Sequence, residues 1–153
     1  MKPMPLRLDP VVTATYVVTL SAPVAAYASI RLARLRRFDH HRIVQSVLVV
    51  MCWLSVLGLE LRIRLAGGAG AFVDRAPPEL IAWAHRLLAV HITVAVATYG
   101  LWSWLAVASW RRYEVSLPGA FSRRHRMLGT LVFGGLCFTA ASATGMFVIA
   151  FVL

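Results

Sequence analysis

Four apolar stretches, each near the length needed to cross a bilayer, limit what this chain can fold into. The first runs from Val11 to Ile30 and carries no charge. The second runs from Ile43 to Leu59 and is closed by Glu60 and Arg62. The third begins after Pro77-Pro78 and reaches Trp110, with His85, Arg86 and His91 in its first half. The fourth runs from Met127 to Leu153 without a charge. A helix needs about 20 predominantly apolar residues to span the hydrocarbon core. Inside lipid the backbone must satisfy its own hydrogen bonds, which makes helices the economical solution. The expected fold is all-α: a four-helix transmembrane bundle in a single domain over 1–153, with spans near 11–30, 43–61, 79–110 and 127–152.

Charge supports the same class. Only 14% of the 153 residues are charged, against roughly a quarter in soluble domains. The 16 Lys+Arg outnumber the 6 Asp+Glu, an excess that in a soluble protein would suggest nucleic acid. Here the arginines lie between apolar stretches instead of on one basic face, so nucleic acid is not the expected partner. Arg31, Arg34, Arg36, Arg37 and Arg42 fill the first link, and Arg111, Arg112, Arg123, Arg124 and Arg126 fill the third. The opposite side holds Lys2, Arg7, Arg62, Arg64, Arg75 and Arg86, diluted by Asp9, Glu60, Asp74 and Glu79. Short loops rich in Lys and Arg stay cytoplasmic, which predicts both termini outside. Ala26-Tyr27-Ala28 resembles a signal cleavage site, yet the first span is expected to be retained. At the helix boundaries, Asp39 is positioned to cap the second span. Glu79 suits the positive end of the third, and Gly67, Gly68 and Gly70 make the outer link flexible or tightly turned.

The ionisable residues in or at the edges of the spans carry whatever chemistry the chain has, because a charge at membrane depth needs a partner, a cavity or a ligand. They are His41, Glu60, His85, His91 and His125. His41 and His125 each open a span that starts from the arginine-rich side, so they lie at similar depth, and each is followed by arginine. His91 lies 11 residues beyond Leu80, about 16 Å into the membrane. His41, His91 and His125 are expected to face the interior. His40, about 100° away from His41 around the helix, is expected to face headgroups or water. Glu60 and His85 share the outer edge, where either arginine Arg62 or Arg86 is a competing partner for Glu60.

Imidazole serves copper, iron, zinc and haem alike. A transmembrane haem b needs two axial histidines at equal depth, a condition His41 and His125 meet, with neighbouring arginines placed for propionates. His41, His91 and His125 are the preferred metal ligands, with Glu60 and His85 an alternative outer pair. His41 and Glu60, 19 residues apart on one helix, are about 28 Å apart and cannot share a centre. Cys52 and Cys137 have no Cys-x-x-Cys partner and read as buried hydrophobes. Span four carries Gly129, Gly134, Gly135, Ala141, Ser142 and Gly145, small residues that let helices approach closely. No phosphate loop, nucleophile triad or acid pair is present, so the sequence offers no catalytic set.

The run Arg36-Arg37-Phe38-Asp39-His40-His41-Arg42 resembles the entry of span two in the membrane family catalogued as domain of unknown function 420. Leu88-Ala89-Val90-His91-Ile92, Arg124-His125-Arg126 and the closing Thr144-Gly145-Met146-Phe147-Val148 are similar in order. The resemblance implies a bacterial cytoplasmic-membrane protein with His41, His91 and His125 as family histidines. Some relatives are linked to maturation of haem–copper terminal oxidases. The chain departs from that pattern at the outer end of span two, where relatives often have Tyr and His and this chain has Glu60. A weaker likeness, through Glu79 and His85-Arg86-Leu87-Leu88-Ala89, is to haem-handling four-helix proteins. Two functions are expected on this basis. One is a metal- or haem-handling assembly factor for a respiratory oxidase. The other is a structural or electron-carrying accessory subunit among other membrane-protein subunits.

Overall fold

A computed structural model describes residues 9–68 and 76–151. Four helices make up the architecture: α1 Pro10–Arg34, α2 Phe38–Leu65, α3 Ile81–Arg112 and α4 Ser122–Phe151. All four are long and apolar enough to cross a membrane. They outrun the expected spans chiefly at the arginine-bearing ends, because arginine is a good helix former and continues the helix after the apolar run stops. Lys2, Arg7, Gly70, Asp74 and Arg75 fall outside the described residues.

The ends of the helices are closed by identifiable chemistry. Asp9 caps α1 by accepting from the N–H groups of Val11 and Val12. At the other end, Arg37 N–H bonds Leu32 O and Arg36 N–H bonds Ala33 O, a Schellman closure. Its pivotal residue is Arg36 at φ 59°, a left-handed conformation in a position usually given to glycine. The same closure ends α2, with Gly68 N–H on Ile63 O and Gly67 at φ 106°. One boundary expectation is corrected. The N-cap of α2 is Arg37, without a side-chain bond. Asp39 lies inside the first turn, where its carboxylate meets Arg42 at 3.3 Å and accepts from Tyr113 Oη at 2.8 Å. An arginine one turn along the same helix and a tyrosine from the end of α3 thus take the carboxylate that would have capped. Glu79 sits exposed in the turn before α3, whose N-cap is Leu80.

In the ring of helices, α1 packs on α2 and α4, and α3 packs on α4 and α2. This leaves α2 diagonal to α4, and both run away from the arginine side. The core joins Ala22, Ala26, Val49, Cys52, Tyr99, Trp102, Val132 and Leu136. Large apolar residues such as Val24, Leu54, Leu57, Trp83, Val96 and Leu131 point outward. In water such a surface would be a liability; around a four-helix membrane bundle it is the face that lipid wets. At Gly135, α3 and α4 approach closely. A Cβ placed on Gly135 would lie 2.8 Å from Thr98 Cγ2 and would overlap the Thr98 hydroxyl.

One buried ion pair locks the opposite end. Arg62 Nε donates to Asp9 Oδ2 at 2.5 Å, tying the cap of α1 to the last turn of α2. Asp9 is 2% exposed. Burial pushes its carboxyl up, but the Arg62 guanidinium and the two N–H donors outweigh that and hold it below the usual carboxylate range. Glu60 is therefore not the partner of Arg62. It pairs with Arg64 at 2.7 Å, because residues four apart share a helix face and residues two apart do not.

A candidate cofactor site at the arginine end

His41 and His125 occupy equivalent places on two parallel helices. Each is the fourth residue of its helix: His41 N–H makes the first-turn bond to Arg37 O, and His125 N–H makes that to Phe121 O. Their ring centroids lie 6.1 Å apart at an interplanar angle of 82°. Both line one cavity of about 570 Å³ that is bounded by all four helices. Its inner wall is apolar, built from Ala26, Ile30, Trp102, Leu105, Phe133 and Leu136, and Arg34, Arg36, Arg42 and Arg126 contribute to its lining. Gly129, one turn beyond His125, also lines the cavity, and a Cβ there would meet nothing within 4 Å.

The hydrogen-bond partners place a proton on Nδ1 of each imidazole. His41 Nδ1 lies 2.9 Å from Ser29 O, and a carbonyl can only accept, so Nδ1 carries the proton. Ser29 Oγ is also 2.9 Å from that nitrogen, and donates to His41 O at 3.3 Å. His125 Nδ1 lies 3.0 Å from Ser109 Oγ. The single Ser109 proton is committed to Leu105 O at 2.6 Å, so Nδ1 of His125 must donate. Neutral imidazoles held this way keep the Nε2 lone pair as their acceptor.

Arg42 forms part of the wall beside His41. Its guanidinium carbon stands 4.1 Å from the Trp110 ring centre and 3.9 Å from that of Tyr113. One edge bonds Asp39, while Nε is buried without a partner. The Tyr113 phenol, hydrogen-bonded to the Asp39 carboxylate, is pushed above its ordinary value.

The remaining candidates lie elsewhere. His91 is half-buried, and its Nδ1 lies 2.8 Å from Ser142 Oγ; that hydroxyl donates to Phe138 O. Ser109 is 18 residues further along α3, about 27 Å away on the axis, so His91 is separate from the pair. All three of these histidines thus make interhelical bonds, while His40 is exposed. Glu60 and His85 are not brought together. Glu60 holds Arg64, and His85 is exposed with Nδ1 on Ile81 O at 3.0 Å. Among the described residues no group of three His, Cys, Asp or Glu could hold a metal ion. Cys52 is buried and Cys137 exposed, neither in a disulfide.

Sequence reasoning missed Ser29, Ser109 and Ser142, which orient the three histidines, and Asp9 as partner of Arg62. Lone hydroxyls in apolar helices were the available signal for the serines, but which histidine each meets depends on helix rotation. No family profile, curated protein or solved structure matches the chain.

Proposed function

We propose that this protein handles haem b, or a closely similar metal chelate, in the bacterial cytoplasmic membrane, with His41 and His125 as the two ligands. The observation that carries the reading is the 6.1 Å separation of two imidazoles facing one cavity. Two ring nitrogens each about 2 Å from a shared ion put their ring centres about 6 Å apart. Among the described residues a bare ion would find only these two protein ligands, whereas a chelate brings the rest of its own. The apolar wall suits a macrocycle, the open space beside Gly129 leaves room along its face, and the arginines suit its carboxylates. Such a group, when bound, supplies one-electron redox chemistry.

Resemblance to the domain of unknown function 420 family directs the reading towards an assembly factor for a haem–copper oxidase, with the arginine links cytoplasmic and both termini outside. Two histidines holding one group would also favour a second reading, an electron-carrying accessory subunit, in which the bound group would supply one-electron redox chemistry. Transfer of bound haem to an apo-acceptor distinguishes the two: a factor releases it, a subunit retains it. The primary test is titration of the detergent-purified protein with haem b, followed by visible spectra and metal analysis. A Soret band of a bis-histidine complex is expected, abolished by His41→Ala and by His125→Ala and kept by His91→Ala. A wild-type protein that binds neither haem b nor a similar metal chelate, whatever bare copper or iron it takes up, would overturn the proposal.

A further inference from the structure

We infer that Ser109 is the positioning residue of the cavity: by accepting the Nδ1 proton of His125 it fixes that ring's tautomer and leaves Nε2 as the nitrogen offered to a ligand. The support is geometric. Ser109 is buried at 9% exposure on α3, its Oγ lies 2.6 Å from Leu105 O, which can only accept, and the same Oγ lies 3.0 Å from His125 Nδ1 across the α3–α4 interface. A hydroxyl free to rotate could equally donate and would then favour the opposite tautomer. Bonding back to the preceding turn removes that freedom. The same device recurs at Ser142, whose hydroxyl is committed to Phe138 O and Thr139 O while it meets His91 at 2.8 Å.

The two cavity histidines are held unequally, and this makes the inference testable. His41 has a backbone acceptor, Ser29 O, which no side-chain substitution removes. For His125 the Ser109 hydroxyl is the one Nδ1 partner among the described contacts. Deleting the Ser109 hydroxyl should therefore release its histidine, whereas deleting the Ser29 hydroxyl should not. Outer partners of metal-bound histidines typically carry 10- to 100-fold in affinity.

The tautomer is read first, without any ligand, from ¹⁵N chemical shifts of histidine-labelled protein in detergent. His41, His91 and His125 should all show the Nδ1–H pattern in the wild type. Ser109→Ala should convert only His125 to a tautomer mixture, Ser109→Thr should restore the wild-type pattern, and Ser29→Ala should leave His41 unchanged. Haem b titration is the second arm, which rests on the function proposed above. There Ser109→Ala should weaken binding about 10- to 100-fold, with Ser109→Thr and Ser29→Ala near wild type. An unchanged His125 pattern in Ser109→Ala overturns the positioning role, as does equal weakening by Ser29→Ala and Ser109→Ala. A shifted tautomer in a protein that never binds haem overturns the proposed function and leaves the positioning role standing.

Discussion

Gly134 and Gly135 offer an internally controlled test of how α3 and α4 are held together. They are adjacent, so Gly→Ala at either position gains the same helix propensity, up to about 1 kcal/mol. That gain cancels when the two variants are compared. What differs is the neighbourhood: a Cβ on Gly134 meets nothing within 4 Å, whereas one on Gly135 sits 2.8 Å from Thr98 Cγ2 and 3.0 Å from Thr98 Cβ. Rotating the Thr98 side chain moves the first atom but not the second. Thr98 is 6% exposed, so the rotated group has little empty space to enter. The helices must separate instead, and overpacking of this kind costs about 1–3 kcal/mol. Gly135→Ala should therefore unfold about 1–3 kcal/mol more easily than Gly134→Ala, measured by tryptophan fluorescence during denaturation in micelles. Thr98→Ala removes Oγ1 and Cγ2, the two nearest atoms, and leaves only Cβ at 3.0 Å, so it should bring the pair of variants closer together, a coupling visible in a double-mutant cycle. Equal midpoints for Gly134→Ala and Gly135→Ala in the Thr98 background would refute the close approach.

Two further outcomes follow from contacts at either end of the bundle. Asn caps a helix about as well as Asp, so Asp9→Asn isolates the loss of the Arg62 pair, expected at about 1–3 kcal/mol, and Asp9→Ala should cost about 1 kcal/mol more. Because the Asp9 carboxyl is held below its ordinary value, its contribution is fully present above about pH 4, the unfolded value. It is lost as the pH falls through the lower folded value. Wild-type stability should drop there and that of Asp9→Asn should not, as read from pH-dependent denaturation. At the cavity wall, Trp102 Nε1 donates to Gln45 Oε1 at 2.8 Å. Trp102→Phe should cost about 1–2 kcal/mol by the same denaturation assay, and Gln45→Leu in that background should recover part of it by removing the orphaned amide.

The depth of each residue was legible in the sequence; its rotation about the helix axis was not. Counting along the chain places His41 and His125 at one level, and the structure brings them to 6.1 Å. Depth needs only the 1.5 Å rise and the alternation of helix direction. Which faces meet is another matter. A soluble helix declares its inner face by an apolar stripe, but a membrane helix is apolar on both sides. Nothing in α2 marks Arg62 over Arg64 as the inward arginine facing Asp9, and the sequence offers Glu60 Arg62 or Arg86 as partner where the structure gives it Arg64. Asp39 shows the same limit from another side, since a local capping rule lost to Arg42 and Tyr113, the latter 74 residues away.

The lengths of the helices give bilayer thickness a hold on the site. At 32 residues α3 is about 48 Å long, and a tilt of about 20° shortens its span only to about 45 Å. The hydrocarbon layer is about 30 Å thick, so several ångströms of helix overhang on each side. His41 and His125 stand three residues in from the starts of α2 and α4, about 4.5 Å along each axis. By helix length the imidazole pair therefore falls near headgroup level, where, on the function proposed above, a flat amphiphile dissolved in one leaflet would enter edge-on with its carboxylates still in water. On that same proposal, a thicker bilayer would draw the entrance below the interface and slow haem exchange, which would couple loading of the site to the lipid chain length of the membrane.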